Sequence, residues 1–262
     1  MLDLKISKIY ENVWQLGETN DFGKVDAYLI VGEKRAALID CLQDTLNLYD
    51  TVRTITDLPF DVYITHSHFD HLGKDAENLY DHGCKIYMDE RDFELPLKMH
   101  GVDYRMQKSG SDFFTAIHDG DVIDLGGTTL TVIEIPGHSP GSVVFLDREN
   151  QRLYSGDGIG SGYIWLQIPF TTTLSEYTEN LRRLRNELDD CKDLVVLPGH
   201  RFQSPVLLRL KYVDDLLTAC EKILSGELVG REKQMDFGKL TINYRTVSYG
   251  DMRGLCYDPT RL

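Results

Sequence analysis

The stretch Thr65-His66-Ser67-His68-Phe69-Asp70-His71 places three of the chain's eight histidines and one carboxylate within seven residues. Imidazole nitrogen and carboxylate oxygen are ligands that suit zinc, iron and manganese. His66 and His68 are two apart. On an extended segment such residues point the same way, so they can grip one metal together. Asp70 and His71 follow at a helix start, where they point away from that pair and suit a second, neighbouring metal. Two cations roughly 3.5–4 Å apart can share a water and lower its pKa toward about 7, which gives a hydroxide nucleophile at neutral pH.

Three further segments repeat the design of an apolar run, a tight turn and a metal-capable side chain. Ile135-Pro136-Gly137 leads to His138, Tyr154-Ser155-Gly156 to Asp157, and Leu197-Pro198-Gly199 to His200. Proline stops a strand ladder and glycine permits a sharp turn, so each side chain is expected at a strand end. Alone, a Pro-Gly-His or Ser-Gly-Asp triplet is ordinary turn chemistry. Following HxHxDH, the three together read as the rest of a ligand set. His82, His100 and His118 stand alone and read as surface or turn residues.

These ligands need strands behind them. Ala27 to Val31 and Ala36 to Asp40, joined by Gly32-Glu33-Lys34-Arg35, form a hairpin signal. A helix is expected after Asp44, with Leu48, Val52 and Ile55 on one face, and another through Ala76, Leu79 and Tyr80. Gly126-Gly127 and Asp147-Arg148-Glu149-Asn150 separate further strand pairs. Thr173-Leu174-Ser175-Glu176 is a capping box that opens a helix. Leu194 to Leu197 reads as a buried strand, and Leu210, Val213, Leu217, Cys220 and Leu224 mark a late helix. Thr241 to Val247 has strand character. Strands interleaved with helices give an α/β protein, and the many hairpins exclude a purely parallel sheet.

The 262 residues, 42% hydrophobic and 27% charged, suit a single domain with an ample core. Residues 1–262 carry no repeat and no Pro/Gly/Ser-rich linker. The net charge of −14 argues against nucleic acid as a partner. No apolar run reaches membrane-spanning length and no signal-peptide pattern opens the chain, so a cytoplasmic protein without membrane contact is expected. The five cysteines, with no CxxC pair, read as reduced, buried thiols.

THSHFDH and PGHSPGS, with the Asp157 and His200 turns in order after them, resemble the metallo-β-lactamase superfamily over residues 6 to 203. The resemblance implies an αββα sandwich with its metal cleft along one edge; residues 204–262 lie beyond it and, from the late apolar stripe, are expected as a C-terminal helical extension. It implies one metal on His66, His68 and His138, a second on Asp70, His71 and His200, and Asp157 bridging both. Two divalent ions are expected, zinc first, with iron or manganese as alternatives.

Asp157 sets the chain apart from true β-lactamases, which lack a bridging aspartate. His68 stands where flavodiiron relatives place glutamate. The motifs look closest to glyoxalase II-like and lactonase-like hydrolases. A bridging hydroxide would then cleave a small ester, thioester or lactone. Asp70 would orient it, and Tyr163, in the glycine-rich Gly160 to Trp165 segment, is a candidate to hydrogen-bond the carbonyl or donate a proton. A packed aromatic is the plainer reading of Tyr163. A mononuclear iron persulfide dioxygenase and a phosphodiesterase of the same fold are the alternatives. Phe22, Phe69, Phe113 and Phe114 are candidates to line an apolar pocket, with core packing as the plainer reading of each. A small-molecule substrate is the expected partner, and the aromatic tail (Phe237, Tyr244, Tyr249, Tyr257) suggests a homodimer.

Overall fold

Apolar residues alternate between two destinations along the early strands, and this sets the layering. The computed structural model describes residues 2–21, 23–102, 104, 113–160, 162–204, 206–250 and 252–262. Phe22 lies outside them. The first sheet runs in chain order, β1 (Asp3–Tyr10), β2 (Val13–Thr19), β3 (Lys24–Val31), β4 (Ala36–Ile39), β5 (Phe60–Tyr63), β6 (Ile86–Met88) and β7 (Phe114–Ala116). Its first four strands are antiparallel, and β4 to β7 are parallel. Parallel neighbours need crossovers. Here these carry α1 (Leu48–Arg53), α2 (Phe69–Leu72), α3 (Ala76–Asp81) and α4 (Leu95–His100).

Val25, Ala27 and Leu29 of β3 pack with Leu48, Val52, Ala76 and Leu79 under these helices. The intervening Tyr28 and Ile30 face the other way, into an inter-sheet core with Val132, Phe145 and Leu197. The second sheet holds β8 (Val122–Asp124), β9 (Thr129–Glu134), β10 (Val143–Asp147), β11 (Arg152–Gly156) and, parallel to β11, β13 (Val195–Pro198). Its outer residues, including Val144, Leu146 and Leu153, pack beneath α5 (Leu174–Glu187) and α6 (Leu210–Leu224). Three apolar interfaces between four layers make the αββα sandwich. The capping box forms, with Thr173 Oγ1 accepting from the Glu176 N–H at 3.1 Å. All five cysteines are free and buried. Phe113 and Phe114 are core residues of the first half.

The tail differs from the expected helical extension. Among the described residues of the tail, only Leu210–Leu224 is helical. Beyond it, β14 (Arg231–Phe237), β15 (Leu240–Tyr249) and β16 (Met252–Tyr257) form an antiparallel meander. The reason is local: residues 231–237 alternate in type, and the two-residue Gly238-Lys239 loop holds Gly238 at φ 61°, a tight-hairpin conformation. The meander also takes in β12 (Tyr163–Leu166), parallel to β16. Val247, Leu255 and Tyr257 seat this small sheet on α5 and α6. Of the tail aromatics, Tyr257 is buried and Tyr249 packs against this core, while Phe237 and Tyr244 line open concavities. No helix among the described residues is long and apolar enough to cross a membrane.

Phe145 is fully buried between the sheets. Phe145→Ala should lower the unfolding free energy by about 3–5 kcal/mol through lost burial and the cavity left behind. Denaturant unfolding checks this, and a loss below about 1 kcal/mol would show that the two sheets do not depend on that contact.

Candidate metal centre

The ligand loops leave the same edge of both sheets. His66 follows β5, His138 follows β9, Asp157 follows β11 and His200 follows β13. The glycines before them play two different roles. Gly156 is at φ 49°, a true left-handed turn, and a Cβ there would lie 2.2 Å from Thr65 Oγ1. Gly137 and Gly199 are needed for close approach instead. A Cβ would lie 2.1 Å from the Tyr177 ring at Gly137 and 2.3 Å from His71 Cε1 at Gly199. The turns at Gly156 and Gly199 thus press directly on the first sheet's ligand loop, whereas Gly137 abuts α5.

The seven predicted ligands come together. The donor atoms of His66, His68 and His138 form one group within 4.8 Å, and those of Asp70, His71 and His200 form another. Asp157 groups with His66 and His71. It also lies 3.7 Å from His138 Nε2 and 3.3 Å from His200 Nε2. Its carboxylate therefore spans both groups. His66 Nε2 and His68 Nδ1 approach to 3.1 Å.

Backbone and side-chain acceptors fix the rings from behind. His138 Nδ1 meets the Trp165 carbonyl at 2.8 Å, His200 Nδ1 the Lys24 carbonyl at 2.6 Å, and His71 Nδ1 the Asp40 carboxylate at 2.8 Å. With Nδ1 so engaged, Nε2 of each ring is the nitrogen that would face a cation. Nε2 of His71 and His138, Nε2 of His68 and Oδ1 of Asp157 are buried without a hydrogen-bond partner in the chain. Orphaned buried acceptors of this kind are costly. A set of nitrogen and carboxylate donors around them fits divalent cations such as zinc, manganese or iron.

The electrostatics divide the site. Burial pushes His66, His68 and His138 below the ordinary imidazole range, and for His66 and His68 the neighbouring imidazoles add to it. These three rings are held in the neutral form that could bind a cation. Burial also opposes charge on His71, but Asp40, Asp70 and Asp157 outweigh it and raise its pKa to about 9. His200 is raised against its burial by Asp157 and Asp70. Burial opposes ionisation of Asp157 and Asp70 too, yet His200 and His71 hold both carboxyls below the usual range. In the metal-free chain, protons on the second group occupy the place that cations would take.

Sequence reading missed two carboxylates that hold the loops. Asp40, buried and left-handed at φ 64°, accepts from Thr65 N at 2.7 Å, from Thr65 Oγ1 at 2.8 Å and from His71. A left-handed non-glycine residue is strained by about 1–3 kcal/mol and persists only where its surroundings impose it. Asp92 accepts from Ser67 N (3.0 Å), Ser139 Oγ (2.8 Å) and Gly141 N (2.7 Å), joining the HSH loop to the PGHSPGS loop. Its burial pushes the carboxyl up, against the pull of these donors. The left-handed aspartate at the end of β4 was a signal available only from structure.

A cleft of ≈ 280 Å³ opens over His68, Asp70, His138, Asp157 and His200. Tyr163 lines it, as do the apolar Phe69, Trp165, Ile168 and Phe237. His100, read from sequence as a surface or turn residue, also lines the cleft, 5.1 Å from the Phe69 ring.

Residues 20–200 match the model of the metallo-beta-lactamase superfamily, and the chain belongs to that family. It is 40% identical over 84 residues to an acyl-coenzyme A thioesterase, MBLAC2, of Gallus gallus, a match over 32% of this chain and 30% of that protein. The chain thus spans about a third of the length of such relatives. It is 25% identical over 178 residues to the hydroxyacylglutathione hydrolase GloC of Haemophilus influenzae, covering 64% of this chain and 81% of that one. Among solved structures, a metallo-beta-lactamase from Pontibacter korlensis superposes with a TM-score of 0.65 at 19% identity, over 84% of this chain and 99% of that chain. That likeness shows the shared fold.

Asp40→Ala should weaken metal affinity about 10–100-fold, because His71 loses its orienting acceptor. Chelator competition on the purified protein checks this, and unchanged affinity would remove Asp40 from the site.

Proposed function

We propose that the protein is a metal-dependent hydrolase of thioesters. The observation that carries this reading is the pair of three-residue ligand groups joined by Asp157 at the floor of an apolar, aromatic-lined cleft. The thioesterase and hydroxyacylglutathione hydrolase names of two relatives support the thioester over other acyl substrates.

His66, His68 and His138 would hold one cation, Asp70, His71 and His200 a second, with Asp157 shared. Bound there, a divalent pair lowers the pKa of water and polarises a carbonyl oxygen. The chain's own residues do the rest. A carboxylate oxygen of Asp70 orients the attacking water. Tyr163 Oη donates to the substrate carbonyl. Phe69, Trp165 and Phe237 exclude bulk water and take the apolar part of the substrate. A carbon–oxygen bond forms, the carbon–sulfur bond breaks, and the proton lost from water ends on the thiol or in solvent. A thiolate, with a parent pKa near about 8.5, leaves without a dedicated acid, so the reaction does not require one from the chain.

Zinc- or manganese-loaded protein should hydrolyse a short thioester, and chelation should abolish turnover. His68→Ala or Asp157→Ala should lose metal and activity together. Full activity in either variant, or dominant cleavage of a phosphodiester, would overturn the reading. One iron per chain with oxygen uptake would replace it with persulfide oxidation. Tyr163→Phe should lower kcat/KM about tenfold at unchanged metal content, the effect of one lost hydrogen bond to the reacting carbonyl. Unaltered kinetics would return Tyr163 to a purely packing role.

A further inference from the structure

The four-stranded sheet has one face on the core and one open. Ile164, Val247 and Leu255 face the core. The open face forms a groove of ≈ 750 Å³ that shares Tyr163 and Trp165 with the metal cleft. Its far side is built by β14. Arg231 pairs with Thr246 and Lys233 with Tyr244, and all four side chains line the groove. Strand alternation puts Arg231, Lys233, Met235 and Phe237 on one face. Met235 Sδ accepts from Gln167 Nε2 at 3.5 Å, and Phe237 lines the metal cleft. The acidic residues of β14 fall on the other face, where Glu232 pairs with Arg245 and Asp236 accepts from Thr241.

The strand is thus graded, apolar at the metals and cationic away from them. Arg231 and Lys233 are exposed, and among the described residues neither has a carboxylate partner. In a chain of net charge −14, two such cations on one groove wall form a local site for anions. Distance narrows the choice. At about 3.3 Å per residue, Lys233 lies about 13 Å and Arg231 about 20 Å along the strand from Phe237. The carboxylates of a glutathione-type tripeptide sit within about two residue lengths of its sulfur, nearer the apolar end of the strand. A pantetheine arm, extended over about the length of four to five residues, carries its phosphates to Lys233 and Arg231.

We propose that the groove binds the leaving group, and that the β14 face selects a thiol carrier bearing phosphates at the end of a pantetheine-length arm. The proposal rests on the thioester reading above. Its test uses the metal-loaded full chain and one acyl group on coenzyme A, on phosphate-free pantetheine and on glutathione. The expected kcat/KM for the coenzyme A thioester exceeds that for the pantetheine thioester by about tenfold, the effect of charge-assisted contacts to phosphate. That ratio falls toward one in Arg231→Ala/Lys233→Ala and at high salt. It is retained in Lys233→Arg and in Glu232→Ala, which alters the opposite face. Equal rates with and without phosphates, a ratio unchanged in the double variant, or a preference for glutathione would each overturn the proposal. If no thioester is cleaved, the catalytic reading fails separately. Calorimetric binding of a thioether analogue of coenzyme A, weakened about tenfold in the double variant, would still support the groove, and equal binding would sink it.

Discussion

Four imidazoles, those of His66, His68, His71 and His138, pack with neighbouring ring centroids 4.2–4.9 Å apart at an edge almost closed to water. Such a cluster cannot carry four protons, and neutral rings with converging lone pairs repel one another unless something positive lies between them. This demand shapes the molecule around it. Two sheets must present their strand ends at one place, each ring must be held from behind, and carboxylates must complete the balance of charge. The αββα sandwich meets the first requirement through its inter-sheet core. The Trp165 carbonyl holds His138, the Asp40 carboxylate holds His71 and the Thr65 hydroxyl meets His66, while the Lys24 carbonyl holds the adjoining His200.

The loops that carry ligands are clamped across the sheets. Asp26 N donates to the Gly199 carbonyl at 2.7 Å, and the Arg201 amide returns a bond to the Asp26 carboxylate at 2.9 Å. Tyr28 Oη donates to the Pro198 carbonyl at 2.8 Å. Strand β3 of one sheet therefore positions His200 of the other. Asp92 performs the equivalent task between His66–His68 and His138. These buried acceptors tie the loops of one sheet to those of the other.

The seven side chains that converge were legible in the sequence because residue types able to bind a metal are few and their local spacing is diagnostic. Their orienting partners were not legible. Asp40 lies 31 residues from His71, and Asp92 lies 49 from Gly141, so only the pairing of strands brings them together. Gly137 and Gly199 show the same limit: sequence marks a turn, while the structure reveals a neighbouring ring that leaves no room for a Cβ. The tail was misread for a different reason. The apolar stripe of Leu210–Leu224 is strong, whereas β14 is exposed along most of its length, so its strand pattern is faint beside the helix.

The capture of β12 by the C-terminal meander couples two parts of the chain with different freedoms. Trp165 gives its carbonyl to a metal ligand and its ring to the cleft, and it is held in place by β16. The ligand loops are locked by chemistry and by contacts that tolerate almost no change. Strands β14 to β16 supply none of the seven grouped side chains, yet Phe237 of β14 lines the cleft and β16 backs Trp165. Substitutions on β14 can therefore reshape the mouth of the cleft without touching the seven grouped side chains, provided the backbone rail that holds Trp165 is kept.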